Sequence, residues 1–391
     1  MQMNQFDVVV IGSGPAGATT ARYAAANGLH VLLLDKHQEL GAPVQCSGAV
    51  SSHALSDNGV PISEEYIEET IYGFTIYSEE GSNTKIDYRE LKPEVYGAAD
   101  GKKPLGYVVF RRRFDRYLMT LAEKAGAKVM LKAEAKGYEK SGDEHVIVHI
   151  NHFNEVIRVK TKVIVGADGL QSQVGKWAGL KTHINYNELA SCLQFVVDGV
   201  SVDGMLEIVT GHEWAPGGYA WVFPKGHGYA EIGLGIICSM TKQNAKWHLE
   251  HFMKNSFFKK RFRDARILEV QGGGVPLSHP LKIQYADHLI LVGDAARHVN
   301  PITGGGIHTA LSGGKLAGEF LAEFISSGSL PTAENLSAQQ DKWMAAMGNK
   351  MWELYEIKSR IFKTENIAER NKMLFETMSE YFSPDSPFRK I

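Results

Sequence analysis

The chain has 391 residues, 44% of them hydrophobic and 22% charged. That is enough to bury a large core in one or two closely packed domains, and it excludes a disordered or fibrous protein. A formal net charge of −2 and a pI near 6.7 give no electrostatic case for nucleic acid. The local clusters Arg111-Arg112-Arg113 and Lys259-Lys260-Arg261 read as solvated faces, or as faces toward an anionic membrane or an acidic partner. Cys46, Cys192 and Cys238 are far apart and fit no metal spacing, so no metal is expected, and their sparse use suits a reducing cytoplasm. There is no apolar run of about 18 residues and no basic-then-apolar leader ahead of the first strand. A cytoplasmic chain is expected, able to lie on a membrane but not to span it by a helix.

Val8-Val9-Val10-Ile11 reads as a buried parallel strand, Gly12-Ser13-Gly14-Pro15-Ala16-Gly17 as a tight glycine turn, and Ala18 to Ala26 as a helix. The strand His30 to Leu34 ends in Asp35, about 20 residues after the first glycine. Strand, loop, helix, strand and acid together form a dinucleotide-binding fingerprint. Its glycines admit a pyrophosphate, the helix N-terminus favours the anion, and the carboxylate is placed to accept from both ribose hydroxyls. Gly41 to Gly59 is irregular, Gly73 to Tyr77 reads as a strand of a second sheet, and Tyr107 to Phe110 is extended, returning to the nucleotide domain. Arg111 to Ala125 has helical spacing, Lys128 to Leu131 is a strand, and His145 to Val159 reads as a hairpin. Val163 to Gly166 is another buried strand, ending in the turn Ala167-Asp168-Gly169. Alternation from Ala190 to Leu234, with turns at Gly204, Gly217-Gly218 and 226–228, predicts a substrate-side sheet. His288 to Val292 is a buried strand ending in Gly293-Asp294. The turn Thr303 to Gly306 opens a long helix over Ile307 to Ile325, and Thr332 to Ile391 is helical.

Three glycine-and-acid motifs thus occur in order: 12–17, then Gly166-Ala167-Asp168-Gly169, then Gly293-Asp294. A nicotinamide dehydrogenase would need only the first. The trio resembles the FAD-containing hydroxylase-like superfamily. The resemblance gives Asp294 the ribityl chain, and it sets the helix N-terminus at Gly304-Gly305-Gly306-Ile307 against the flavin pyrimidine ring. There a helix dipole stabilises the negative charge of a reduced flavin. Arg111 with Phe114-Asp115 matches the superfamily's Arg-x-x-Phe-Asp pattern and implies an FAD phosphate contact, a surface arginine being the plainer alternative. Ala135 falls where this fold passes a strand end by the adenine.

Two more segments, Pro43-Val44-Gln45-Cys46-Ser47-Gly48-Ala49 and Pro216-Gly217-Gly218-Tyr219-Ala220-Trp221-Val222-Phe223-Pro224-Lys225-Gly226, narrow the resemblance. Over essentially the whole chain it is similar to the archaeal geranylgeranyl reductases, the digeranylgeranylglycerophospholipid reductases. The family often carries a Gly or Glu soon after the cysteine, where Ser47-Gly48-Ala49 stands here. The implied fold is α/β: an FAD-binding Rossmann-like domain of hydroxylase type over 1–72, 105–180 and 283–330, an antiparallel-sheet substrate domain over 73–104 and 181–282, and a helical C-terminal region over 331–391. The implied FAD-binding residues are Gly12, Gly14, Ala16, Gly17, Asp35, Lys36, Cys46, Ser47, Ala49, Arg111, Ala135, Asp168, Gly293, Asp294, Gly304, Gly305, Gly306 and Ile307.

The implied substrate is a geranylgeranylated ether glycerophospholipid, bound by Pro216, Tyr219, Trp221 and Phe223. The three aromatics alternate at period two and so project from one face of a strand as an apolar wall, ordinary sheet core being the alternative. Isolated double bonds need hydride from reduced FAD and a proton at the other carbon. Aromatic rings would stabilise the cationic character between these events, and Cys46 is read as a proton relay or as shaping the flavin face, against a small buried hydrophobe. There is no second nucleotide fingerprint, since Gly272-Gly273-Gly274 precedes Val275-Pro276 where no helix can start. Electrons are therefore expected from transient NADPH or from a ferredoxin-like carrier. Trp343, Met344, Met347, Met351, Trp352 and Phe362 either pack on the protein, cap a lipid tunnel or touch the bilayer. The rival readings are a flavin monooxygenase or halogenase and, in another class, a prenyl-binding escort protein.

Overall fold

The computed structural model describes residues 4–90 and 104–386. The portions of the expected substrate domain at 91–103 and of the helical region at 387–391 lie outside the described residues. Five parallel strands form the centre of an eight-stranded sheet, in the order Leu289–Leu291, Glu155–Gly166, Asn4–Ile11, Val31–Leu34, Lys128–Met130. Val8, Val9 and Val10 are all fully buried because helices or strands cover both faces, which is why this strand is continuously apolar rather than alternating. The expected hairpin is present: Val146–His152 pairs with Glu155–Gly166, closed by Phe153 and Asn154 at φ 50° and 68°, a two-residue turn whose twist matches that of the flanking strands.

Helix Pro15–Ala26 lies against helices Arg111–Lys124 and Ile307–Ser326. The crossing with the long helix is close because Gly314 and Gly318 share one helix face. An added Cβ would stand 2.5 Å from the Ala16 carbonyl at the first and 2.7 Å from the Thr20 carbonyl at the second.

The second sheet has seven strands, in the order Arg266–Pro276, Leu189–Asp198, Tyr229–Ile237, Tyr219–Pro224, Leu206–Thr210, Gly73–Tyr77, Asn83–Asp87. It is antiparallel except where Leu206–Thr210 runs parallel to Gly73–Tyr77. Alternate residues divide its two faces. Ala220, Val222, Ile232 and Leu234 pack beneath helix Ala245–Asn255 through Leu249 and Phe252. Ile208, Trp221 and Phe223 face the C-terminal helices. The helix Ala245–Asn255 was not expected, although Asn244 caps it by accepting from the Trp247 amide at 2.9 Å. The triple glycine lies inside strand Arg266–Pro276.

Two expectations change. The stretch 41–59 contains strand Ala49–Ser51 and helix Ser52–Asp57, the latter capped by Ser51. Gly106–Val109 does not join the parallel sheet; it is the centre of a three-stranded sheet with Ala49–Ser51 and Ile67–Ile71.

The C-terminal region comprises helices Ala333–Trp343, Asn349–Lys363 and Ile367–Tyr381, the first two joined by a π turn at Met344–Gly348. Trp343, Met347 and Met351 pack inward with Leu316 and Met344, and Trp352 stacks on His279 at 4.2 Å. This apolar stripe is therefore core. Among the described residues no helix is long and apolar enough to cross a membrane.

The close crossing predicts that Gly318→Val destabilises the fold by roughly 1–3 kcal/mol through overpacking, seen as a lowered Tm in thermal unfolding. A second prediction concerns Lys358, which is buried in helix Asn349–Lys363 and donates to the Leu277 carbonyl. Burial pulls its pKa down to about 8, partly offset by Glu188. Between about pH 8 and the ordinary lysine value the unfolded chain holds a proton that the folded chain has released, so this group makes folding more favourable as pH rises through that window. Lys358→Met removes the slope. Urea unfolding at pH 7.5 and 10 is expected to show wild type gaining on the variant, by at most about 3 kcal/mol.

Candidate active site

The first parallel strand, the turn 300–306, the aromatic strand and the C-terminal helices all open onto a cavity of about 900 Å³. One arm is polar and the other apolar. In the polar arm Gly12 has φ +104°, and an added Cβ would stand 2.3 Å from the Ala167 carbonyl. The residue must be glycine for the turn to lie against the second motif. Gly14 faces open space on the cavity side. Helix Pro15–Ala26 begins there without a side-chain cap, so its first N–H groups are free for an anion. Helix Ile307–Ser326 also starts uncapped at the cavity, after Gly304, Gly305 and Gly306.

Asp35 stands on the wall beside Lys36. Its carboxylate accepts from the Ser13 amide at 3.1 Å, from the Ser13 hydroxyl, and from the His37 amide at 2.8 Å. These bonds fix its orientation toward the cavity. Ala135 and Asp168 also line this arm. One Asp168 oxygen accepts from the Val174 amide at 3.0 Å while the other is buried without a partner, and burial raises its pKa. Asp294, beside Gly293, is half-buried. Burial pushes its carboxyl up, against the pull of Arg111 and Arg297. Arg297 is itself buried in a left-handed conformation, donating to the carbonyls of Leu170 at 2.8 Å and of Thr182, and so binds the second and third motifs together.

Arg111 is not on a solvated face. It turns inward and forms a bidentate pair with Asp115, at 3.1 and 3.0 Å. Burial disfavours its charge, but Asp115 and the adjacent Cys46 sulfur outweigh that and hold its pKa above the usual value. The Cys46 sulfur accepts from the Gly48 amide at 3.4 Å. Cys46, Ser47 and Ala49 all line the cavity. Cys192 lines it too, with a thiol that burial pushes up to about 12.

The apolar arm is walled by Tyr219, Trp221 and Phe223, as their alternation predicts, with ring centroids 5.9 and 6.2 Å apart along the strand. Opposite stand Ile361, Phe362, Leu374 and Tyr381 of the C-terminal helices. Of the aromatic and methionine stripe in that region, Phe362 therefore faces the cavity while its partners pack as core. Two expected residues are elsewhere. Gly17 is off the wall and serves packing, since an added Cβ would stand 1.9 Å from the Gly12 carbonyl. Pro216 is buried behind the wall, its carbonyl accepting from the Ile237 amide at 2.9 Å.

Sequence reasoning missed a charged group beneath the aromatic wall. Glu231 is fully buried and accepts from the Trp221 indole at 3.2 Å. The Lys225 ammonium lies 3.6 Å from it, 2.7 Å from Glu68, and 3.4 Å from the Ser47 carbonyl. Burial alone would lower the Lys225 pKa, but Glu231 and Glu68 raise it. The available signal was an acid at an inward position of the apolar alternation Tyr229–Ile237.

Two uncapped helix N-termini facing one cavity, an oriented carboxylate at a strand end and an unpartnered buried Asp168 oxygen fit a bound dinucleotide. The comparisons agree: residues 5–216 match the family model of an FAD binding domain, and residues 188–275 that of a geranylgeranyl reductase catalytic domain. A digeranylgeranylglycerophospholipid reductase of Methanothrix thermoacetophila is 36% identical over 375 residues, 96% of this chain and 92% of that protein. One from Methanocaldococcus jannaschii is 37% identical over 340 residues, 86% and 82% of the two chains. A solved geranylgeranyl bacteriochlorophyll reductase-like protein from Thermoplasma acidophilum superposes with a TM-score of 0.89 at 31% identity, covering 100% of this chain and 95% of its own. A flavin-dependent brominase, at 20% identity and TM-score 0.70 over 96% and 99% of the chains, shares the fold alone. With an FAD cofactor and relatives of this identity over nearly its whole length, the chain belongs to the digeranylgeranylglycerophospholipid reductase family of FAD-dependent oxidoreductases.

Proposed function

We propose that this protein saturates the isolated double bonds of geranylgeranyl chains on archaeal-type ether glycerophospholipids, with FAD in the polar arm and one chain in the apolar arm. The observation that carries this reading is the continuity of the two arms: the aromatic wall opens into the same cavity as the two uncapped helix N-termini. In this reading the Gly12–Gly14 turn and helix Pro15–Ala26 hold the pyrophosphate, Asp35 the adenosine ribose, Asp294 the ribityl chain, and Gly304 to Ile307 the pyrimidine edge. Cys46 delivers a proton from its thiol to one alkene carbon. Tyr219, Trp221 and Phe223 stabilise the positive charge developing on the other carbon, each well-placed ring contributing roughly 1–2 kcal/mol when water is absent. FAD, when bound and reduced, would supply the hydride that this carbon accepts.

Arg111, paired with Asp115 and beside Cys46, holds that loop and lends positive charge to the cofactor's side of the cavity. The substrate's chains lie in a bilayer, so the proposal includes peripheral membrane association. It also includes an external electron donor, a ferredoxin-like carrier or NADPH.

Two measurements test it. Under anaerobic conditions, dithionite-reduced protein mixed with digeranylgeranylglyceryl phosphate is expected to reoxidise while mass spectrometry shows successive additions of H2 to the lipid. A cofactor that stays reduced until oxygen is admitted would instead point to a monooxygenase. Cys46→Ala is expected to slow reduction by about 100-fold or more, the usual worth of a positioned proton donor, with the visible FAD spectrum unchanged. Undiminished turnover would remove Cys46 from the mechanism.

A further inference from the structure

Behind the Cys46 loop lies a second, smaller cavity of about 80 Å³, lined in part by Glu68, Arg111, Lys225, Glu269 and Gln271. At roughly 30 Å³ per water it has room for about two water molecules. Val44 and Arg111 line both cavities and so form the partition between them. On one side of that partition Arg111 interacts with the Cys46 sulfur. On the other, Lys225 reaches around to the carbonyl of Ser47, the residue after Cys46. Around the small cavity Lys225 is faced by Glu68, Glu231, Arg111, Glu269 and Tyr229, and across the loop by Cys46. Tyr229 is 42% exposed and Glu269 is partly exposed, so the small cavity meets solvent on the side away from the aromatic wall.

The large cavity has the opposite need. A carbocation-like centre tolerates no water beside it, yet every double bond reduced consumes a proton. After each transfer a thiolate remains on Cys46, and solvent cannot restore its proton through the apolar arm without flooding it. We propose that the small cavity is the proton-uptake port of the reaction, and that Lys225, paired with Glu68, reprotonates Cys46 from it after each double bond is reduced. This rests on the reading of Cys46 as proton donor. In each cycle the Cys46 S–H bond breaks as the new C–H bond forms. A Lys225 N–H bond then breaks as the S–H bond re-forms, by way of water in the small cavity. The neutral Lys225 amine takes its proton from solvent, and Glu68 steadies the restored ammonium. The net uptake is one solvent proton per double bond, while both electrons come with the hydride of the proposed reduction.

The test uses the FAD-loaded full chain and three variants, Lys225→Ala, Lys225→Arg and Cys46→Ala, in a Cys192→Ser/Cys238→Ser background. The first readout is the rate of Cys46 alkylation by iodoacetamide at fixed pH. Lys225→Ala is expected to be alkylated about fivefold more slowly than the parent, because a nearby cation stabilising the thiolate is gone. Lys225→Arg is expected to restore the rate. The second readout is multiple-turnover lipid reduction. Both variants are expected to fall at least about tenfold, the arginine included, because guanidinium keeps its proton. Primary amines of matched size are expected to rescue Lys225→Ala at rates that rise with amine acidity, which a merely structural lysine would not produce.

Turnover of Lys225→Arg at the parent rate, alkylation unchanged in Lys225→Ala, or rescue independent of amine acidity would each overturn the proposal. Should Lys225→Arg fail to retain FAD, the amine series on Lys225→Ala decides alone; should Lys225→Ala also fail, Gln271→Trp, which fills the small cavity and keeps Lys225 and Glu68 while giving up one hydrogen bond to Glu269, decides by a slowed or an unchanged turnover. Cys46→Ala separates the two levels: if it reduces lipid at the parent rate the underlying reading fails, whereas a slow Cys46→Ala beside an unaffected Lys225→Arg leaves that reading intact and removes only the port.

Discussion

The Tyr219 hydroxyl donates to the Thr303 carbonyl, Asn300 donates to the Tyr381 hydroxyl at 2.8 Å, and the Asn300 side-chain oxygen accepts from the amides of Ile302 and Thr303 at 3.0 and 3.1 Å. Through these bonds the turn 300–306 joins the nucleotide sheet, the aromatic strand and the last helix. Each group is buried or nearly so, and leaving any of them unpaired would cost about 1–3 kcal/mol. The relative position of the polar arm and the apolar arm is thus set by hydrogen bonds at their junction rather than by diffuse apolar contact, which fixes distance less sharply. Burial of Tyr219 and of Tyr381 raises both phenol pKa values, so both phenols, one a donor and one an acceptor, keep their protons over the ordinary pH range.

From that junction the two arms diverge in what they must exclude. The polar arm needs charge close at hand: free helix N–H groups and the Arg111–Asp115 pair supply it. The apolar arm needs none near the reacting carbons. The sheet achieves this separation by alternation, with Trp221 and Phe223 toward the cavity and Ala220 and Val222 toward helix Ala245–Asn255. The C-terminal helices contribute Ile361, Phe362 and Leu374 to the wall, so the apolar arm is covered in part by elements far along the chain. Helices cover the sheet's open face without a separate loop, and a lowered dielectric beneath them strengthens every charge interaction left inside.

Local signals made the polar arm legible in the sequence. Gly12 to Gly17, Asp35 and Gly293-Asp294 each carry a backbone requirement that few residue types meet, and their order along the chain pointed to the cofactor. Tyr219, Trp221 and Phe223 were legible because period-two alternation fixes a shared face. Gly17 and Pro216 belong to legible motifs but pack rather than line the cavity, since a motif marks a neighbourhood and not every side chain in it. For Arg111 the run of three arginines suggested a solvated face and the Arg-x-x-Phe-Asp pattern a phosphate contact; the structure turns it inward, paired with Asp115 one helical turn on. Glu68 and Lys225 come together from positions 157 residues apart, and no local pattern foretells that pairing. Helix Ala245–Asn255 was missed for a related reason: it is short, and the sheet it covers supplies most of its stability.

A buried charged group beneath an apolar wall is not the most stable solution available to this fold. Replacing such a group with apolar residues of similar volume is often neutral or stabilising, and the sheet face around Glu231 already has Trp221 and Phe223 with which to pack. The Trp221 indole alone does not require a carboxylate, since a neutral amide oxygen would accept its proton without bringing a second charge into the core. The Ser47 carbonyl alone does not require an ammonium for the same reason. What a Lys–Glu cluster has that its neutral replacements lack is a proton that can leave and return, and a cation whose field reaches the neighbouring sulfur. The stability lost by keeping Glu68, Lys225 and Glu231 charged is accounted for only where a proton must cross from solvent to a site that water itself is kept out of.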